Sequence, residues 1–409
     1  MSKEKQQQSL PANHPDLVTS YKNIGNEHYN IGDYPKAFTS YEKVLEIQQQ
    51  LLAPDHPDLA ISCSNIGTVY IKMGNYPKAL SSHEKAFEIQ QQSHPSNHPY
   101  LATSCNNIGE VHRNLGNYTQ ALTFHEKALE IQQQSLPPNH PYLAQSYNNI
   151  GLVHHKMGNY LEALSYYEKT LEIQQQSLSD NHPDLAMSYI SIGLVYKNIG
   201  NYPEALSYYE KTLEIQQLLL PPDHPDLATS YNNIGNVHTK MGNYLKALLY
   251  LEKTLEIQQL LLPHNHPDLA SCYISIGVAH SSTGDYPKAL SYYEKALEIQ
   301  QQSLPLNHPD LSMSYGNIGN VHTKMRNYPK ALSSYEKVLK IQQQSLPSNH
   351  PHLAISYNNI GIVRYRMGDY SKARTFIEHA IQIGQQSLPS NHLDLQQWRN
   401  NLERVKNKQ

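Results

Sequence analysis

The chain repeats itself at a fixed interval of 42 residues, nine times over. His-Pro recurs from His14-Pro15 to His350-Pro351. A glycine follows eleven residues after each of these histidines (Gly25, Gly67 and onward to Gly361), and a tyrosine stands nine residues further on (Tyr34 to Tyr370). A period of this length marks a stack of identical supersecondary units, each touching only its neighbours. Such an array lengthens without enlarging any one core, so 409 residues do not here imply two or three globular domains.

One unit, residues 14 to 55, reads as two helices. Pro15 suits the first helical position, where its missing N–H is no loss. Asp16 favours the positive end of the helix dipole, and either Asn13 or His14 is placed to cap. Leu17, Tyr21, Ile24, Gly25 and His28 form a helical stripe that ends at Gly32-Asp33. The second helix starts near Tyr34-Pro35 and carries Tyr34, Ala37, Phe38, Tyr41, Val44, Leu45 and Gln48 on one side. Leu52-Ala53-Pro54-Asp55 makes the turn to the next unit. Gly25 and Ala37 are small, which lets the two helices approach. A lone hairpin covers only half of its apolar faces, so neighbours must supply the rest and the ends need caps. His392-Leu393-Asp394-Leu395 opens a tenth helix of the first type, and Trp398, the only tryptophan, is expected to cover the last apolar face. The expected organisation is all-α: a polar leader over 1–13, repeats at 14–55, 56–97, 98–139, 140–181, 182–223, 224–265, 266–307, 308–349 and 350–391, and a capping helix over 392–409.

Composition narrows the function. Charged residues make up 16% and the net charge is -3, so no strong field draws the molecule to nucleic acid or to a membrane surface. With 23 histidines, mild acid makes the chain cationic. Three cysteines are too few for a disulfide framework. Cys63 and Cys105 stand where Tyr21 and Tyr147 stand in other copies, and read as core fillers in a reducing, cytoplasmic setting. Met1–Leu10 shows no apolar signal segment, and no run of about 18 apolar residues occurs. A linear stack puts like residues in rows, whereas catalysis needs unlike residues converging on one point, so no enzyme activity and no cofactor are expected. The histidine row His28, His112, His154, His238, His280 and His322 is read as packing rather than metal binding. Neighbouring rungs lie ~10 Å apart, while zinc ligands sit ~2 Å from the ion.

Gly25, Gly32, Tyr34, Ala37, Tyr41 and Leu45 resemble the tetratricopeptide repeat pattern, at a period longer than the usual 34 residues. The variant it is most similar to is that of kinesin light chains. The fourth copy gives His140-Pro141-Tyr142-Leu143-Ala144, Tyr147-Asn148-Asn149-Ile150-Gly151, Gly158-Asn159-Tyr160-Leu161-Glu162-Ala163 and Thr170-Leu171-Glu172-Ile173. The resemblance implies a right-handed α-solenoid superhelix of nine helical hairpins plus the capping helix, with the first helix of each unit on the inner wall. It also implies protein partners. Kinesin light chains carry a long N-terminal coiled coil for their heavy chain. The thirteen residues before the first repeat show no heptads, so no direct docking of that kind is expected.

On that orientation a row of carboxamides faces the groove: Asn23, Asn65, Asn107, Asn149, Asn233, Asn317 and Asn359, with Ser191 and Ser275 as exceptions. Carboxamides can hold a peptide backbone whatever its sequence; alternatively they bond neighbouring helices. Beside them runs a variable row (Asn26, Thr68, Glu110, Leu152, Leu194, Asn236, Val278, Asn320, Ile362). A second begins at Lys22 and includes Gly316. Lys72, Arg113, Lys156, Lys197, Lys240, Lys324 and Arg366 complete the face. Across these rows eight Lys or Arg stand against one Glu, a local excess of seven positive charges on a chain of net charge -3. The expected function is therefore a non-enzymatic adaptor that binds extended, partly acidic peptides with apolar anchors. The alternative is a regulatory or cargo-binding part of a larger motor or signalling assembly. Lys22, Asn26 and Asn65 also resemble part of a carboxylate clamp, but Thr103 and Asn107 stand where its further basic residues belong.

Overall fold

The structure, a computed structural model, describes residue 11 and residues 13–408. The expected leader lies almost wholly outside them. Nine hairpins follow one another: α1 (Pro15–Asn30) with α2 (Tyr34–Leu51), α3 (Pro57–Lys72) with α4 (Tyr76–Ser93), α5 (Pro99–Asn114) with α6 (Tyr118–Ser135), α7 (Pro141–Met157) with α8 (Tyr160–Ser177), α9 (Pro183–Asn198) with α10 (Tyr202–Leu219), α11 (Pro225–Lys240) with α12 (Tyr244–Leu261), α13 (Pro267–Thr283) with α14 (Tyr286–Ser303), α15 (Pro309–Lys324) with α16 (Tyr328–Ser345), and α17 (Pro351–Arg366) with α18 (Tyr370–Ser387). Helix α19 (Leu393–Lys406) closes the series. The chain divides into two compact units, residues 1–208 and 209–409, at a point within α10. Inside each unit an odd helix packs on the even helix after it, and that helix packs on the next odd one.

His-Pro starts each odd helix for a reason the sequence left open. The Nδ1 atom of His14, not Asn13, accepts the backbone N–H of Asp16 at 3.2 Å, and His56, His182 and His308 repeat the contact at 3.2 Å. The imidazole is the cap, and the proline behind it occupies the first turn. Gly32 then turns the chain at φ 80, where a side chain would clash with the backbone. In the eighth repeat Arg326 holds φ 60 instead, at a cost of roughly 1–2 kcal/mol.

Gly25 is small because of a ring rather than a helix backbone. A Cβ there would lie 2.6 Å from Cε1 of Tyr41. His83 and His125 take the place of that tyrosine in the second and third repeats and are wholly buried. The expected histidine row is packing as well: His154 stacks on Tyr166 at 5.5 Å and His280 on Tyr292 at 5.6 Å. Cys63, Cys105 and Cys272 are buried thiols, and burial pushes Cys105 up to about 11 and Cys272 up to about 12.

The glutamine runs stitch consecutive repeats together. Ser62 donates to Gln48 Oε1 at 2.6 Å, Ser104 to Gln90 at 2.7 Å and Ser188 to Gln174 at 2.6 Å. In the second unit Ser230, Ser314 and Ser356 donate likewise to Gln216, Gln300 and Gln342. From the third repeat to the eighth the next glutamine of the run reaches a tyrosine hydroxyl, as Gln259 does to Tyr273 at 3.0 Å; in the first two repeats Cys63 and Cys105 stand where that tyrosine would be. The serine pattern breaks at two places: Ser146 accepts from Asn106 and leaves Gln132 Oε1 buried without a partner, and Cys272 stands in the serine's place and leaves Gln258 Oε1 the same way. Cys272→Ser is expected to restore the bond and stabilise the second unit by about 1 kcal/mol. A urea midpoint unchanged or lowered in that variant would show that the serine does not reach the carboxamide.

At the C-terminal end, Leu395, Trp398 and Val405 of α19 are buried against α17 and α18. Gly384 makes room for the indole, since a Cβ there would lie 2.5 Å from Cζ3 of Trp398. The single tryptophan covers the last apolar face.

Candidate functional site

Two adjacent odd helices leave an open furrow along their N-terminal halves, floored by the even helix between them. In the first unit the furrow holds a cavity of about 370 Å³ between Gln145 and Asn148 of α7, Thr170 and Gln174 of α8, and Met187 and Ser188 of α9. In the second unit a cavity of about 440 Å³ lies between α15 and α17, with Val338 and Gln342 of α16 beneath. Gln145, Met187, Met313 and Ile355, which line these hollows, belong to a row of which sequence reasoning singled out only Thr103: Thr19, Ile61, Thr103, Gln145, Met187, Thr229, Ser271, Met313 and Ile355. Its variability amid near-identical copies was the available signal. The even-helix floor had no such signal, because it is read only once the hairpins are stacked.

None of the expected site residues is in the core. Lys22, Asn26, Lys72, Lys156, Lys240, Lys324 and Arg366 are exposed; Asn65, Asn107, Arg113, Asn149, Leu152, Leu194, Lys197, Asn233, Asn317 and Asn359 are half-buried. Asn359 reaches the second-unit cavity, and Arg366 lines a smaller hollow of about 210 Å³ beside Arg404. The remaining basic residues gather elsewhere. Lys72, Lys240 and Lys324 are the last residues of their helices, and Lys156 is the last but one. Met313 and Lys324 are therefore about 16 Å apart along α15, at 1.5 Å per residue. Met313, Asn317, Asn320 and Lys324 follow helical spacing, so they share one stripe. The equivalent position at the end of the stripe is a cation in five of the nine repeats (Lys72, Lys156, Lys240, Lys324 and Arg366) and Asn30, Asn114, Asn198 or Ser282 in the others. A cation at that end also suits the negative pole of the helix dipole.

The polar partners differ along the row. Asn107 donates to Ser64 Oγ of the preceding repeat at 3.2 Å, and Asn106 to Ser146 Oγ of the next at 3.0 Å, so these two bond neighbouring helices. Asn26 Oδ1 accepts the Tyr41 hydroxyl at 2.6 Å. Among the described residues, the side chains of Asn65, Asn149, Asn233, Asn317 and Asn359 form no hydrogen bond within the chain. Arg113 is held in a bidentate pair by Glu110, which cancels its charge locally. Burial pulls Lys197 below the ordinary lysine range and, with Lys156 and Lys197 nearby, also lowers His155, whose ring bonds Asn198 at 2.8 Å. Among the described residues, no three His, Cys, Asp or Glu side chains converge as a metal-binding group. No helix among them is long and apolar enough to cross a membrane.

Stacked two-helix units of one period, sharing a polar stripe, define an α-solenoid repeat protein. Seven overlapping segments, residues 16–92, 58–134, 100–160, 142–218, 192–260, 226–302 and 310–386, match the family model described as the tetratricopeptide repeat. The chain belongs to the tetratricopeptide repeat family. No curated protein matches it in sequence. Among solved structures it is similar to the tetratricopeptide-sensor signal-transduction ATPase of Pyrococcus horikoshii (17% identity, TM-score 0.62, covering 95% of this chain and 54% of that one). It is also similar to the apo form of RapI (16% identity, TM-score 0.52, 69% and 97%). A further similar structure contains nearly identical TPR-like repeats assigned to a kinesin light chain of Podosopora anserina (24% identity, TM-score 0.46, 50% and 96%).

Proposed function

We propose that the chain is a non-enzymatic adaptor that holds extended, partly acidic peptide segments along the exposed stripe of its odd helices. Tetratricopeptide arrays are protein-interaction scaffolds, and this array carries the elements such a task requires. The observation that carries the reading is the unused polar capacity of the stripe. Among the described residues, six carboxamides of one row (Asn23, Asn65, Asn149, Asn233, Asn317 and Asn359) form no side-chain hydrogen bond within the chain, and Lys22, Lys72, Lys156, Lys240 and Lys324 are exposed without an ion pair. Carboxamides donate to and accept from a peptide main chain, while a line of cations selects acidic side chains and hastens encounter.

The test is binding of a fluorescent acidic peptide at low and at high salt. Exchanging two of the exposed lysines, Lys72→Glu with Lys156→Glu, is expected to weaken binding at least tenfold at low salt and to flatten its salt dependence. Unaltered affinity in a variant with unaltered helicity would remove the stripe from consideration. A second reading, a sensing or cargo module within a larger assembly, draws on the P. horikoshii ATPase, in which a tetratricopeptide array is a sensor and this chain spans 54% of the length.

A further inference from the structure

Gly316 is the exceptional residue of the second unit. Its counterparts in the other eight repeats are Lys22, Ser64, Asn106, Asn148, Ile190, Asn232, Ile274 and Asn358. A glycine inside a helix costs about 1 kcal/mol relative to alanine, and helical glycines such as Gly25, Gly151, Gly277 and Gly384 have a packing reason to be there. Three residues on, a Cβ at Gly319 would stand 2.8 Å from Cε1 of Tyr335. At Gly316 the nearest atom to an added Cβ is Cγ2 of Val338, 4.0 Å away. The missing side chain makes way for nothing within the chain. It opens the 440 Å³ cavity between α15 and α17.

The chemistry of that cavity departs from its counterpart in the first unit. Its floor is Val338, where Thr170 lies under the other furrow and spends its hydroxyl on Ala144 O and Tyr166 O. Its flanks are Met313 and Ile355, in place of Gln145 and Met187. No lysine or arginine lines it; the ionisable lining groups are Asp310, His352 and the Tyr335 phenol, whose hydroxyl is bonded to Asn320. The rim is amide. Asn359 is unbonded, and Asn320 and Gln342 use their oxygens to accept from Tyr335 and Ser356, which leaves their NH₂ groups to donate. A hollow of this size and lining suits an uncharged apolar group with hydrogen-bonding groups on either side.

We propose that this cavity is an anchoring pocket for one large apolar side chain of an extended peptide, and that it fixes the peptide's register on an array of otherwise near-equivalent rungs. The inference rests on the peptide reading above and adds to it where the anchor sits. The apolar floor and flanks take the side chain, and the amide rim takes the main chain beside it.

The test uses the full chain and two acidic dodecapeptides that differ only in one central residue, Phe or Ala, read by fluorescence anisotropy. The variant is Gly316→Asn, which installs the residue of four sister repeats and so keeps the fold; its thermal midpoint should equal or exceed that of the natural chain. The natural chain should prefer the Phe peptide at least tenfold, and Gly316→Asn should reduce that preference below twofold. Toluene, a mimic of the Phe side chain, should move the Met313 methyl resonance of the natural chain and not that of the variant. If both peptides bind the natural chain equally, or the preference survives in Gly316→Asn, the anchoring pocket is wrong and the adaptor reading stands. If neither peptide binds, both fall. Toluene binding without peptide binding would reassign the pocket to a free small molecule. Self-association abolished by Gly316→Asn would reassign it to a second copy of this chain. Either result overturns the proposal.

Discussion

Acidification from pH 7 to pH 4 is expected to destabilise the first unit by about 6 kcal/mol, about 3 from each of two buried histidines. His83 and His125 are 0% exposed. Neither ring nitrogen of His83 has a partner; His125 has one contact, Nδ1 with Asn106 Oδ1 at 2.8 Å. Burial brings both imidazoles down from 6.5 to about 4, and around His125 the nearby Glu110 and Arg113 act in opposite directions. The unfolded chain therefore takes up protons first as the pH falls. Stability is full above about 6.5, declines between 6.5 and 4, and levels off below. Hydrogen exchange of α4 and α6 across this range should show the loss. His83→Leu should remove about half of it, since Leu251 already fills the equivalent place beside Gly235. An undiminished pH dependence in His83→Leu would mean that protonation at this site is not what drives the loss.

Trp398→Ala is expected to cost about 3–5 kcal/mol and to release the end of the second unit. The indole is 3% exposed and packs with Leu395 over Ala354 and Ala380. Without it the apolar surface of the ninth hairpin meets water. Because a repeat depends on its nearest neighbours, exchange should rise in α17, α18 and α19 while α11 to α13 stay protected. Uniform loss of protection through the second unit would indicate that it unfolds as one block. Exchange unchanged in α18 would mean that the cap contributes little.

The cations are unevenly placed along the odd helices. Lys72, Lys156, Lys240, Lys324 and Arg366 stand at the C-terminal ends of their helices, away from the two furrow hollows, whereas Lys22 holds the place that Asn148 and Gly316 take beside those hollows in their own repeats. A bound segment would place acidic side chains toward the helix C-termini and an apolar side chain toward the N-termini. Lys22, Asn26 and Gly316 all stand in rows that the sequence alone assigns to the expected groove. Met313, Ile355 and Val338 were not singled out, because their relation to the hollow depends on the neighbouring hairpin. Asn107 belongs to the same row as Asn359, yet only Asn107 is tied to an adjacent repeat, since Ser64 happens to stand opposite it.

By itself the sequence determined the period, the two helices of each unit, their breaks and the need for a cap, because these follow from residue spacing along one chain: proline at the first turn, glycine at the stop, and apolar residues every three or four positions. Only the tertiary structure decided that histidine rather than asparagine caps the odd helices, that the glutamine runs bond the next repeat's serines and tyrosines, and that the missing side chain at Gly316 opens a cavity rather than a close contact. Those outcomes depend on which atoms of a second repeat come within hydrogen-bonding or van der Waals reach, and no periodicity within one repeat contains that distance.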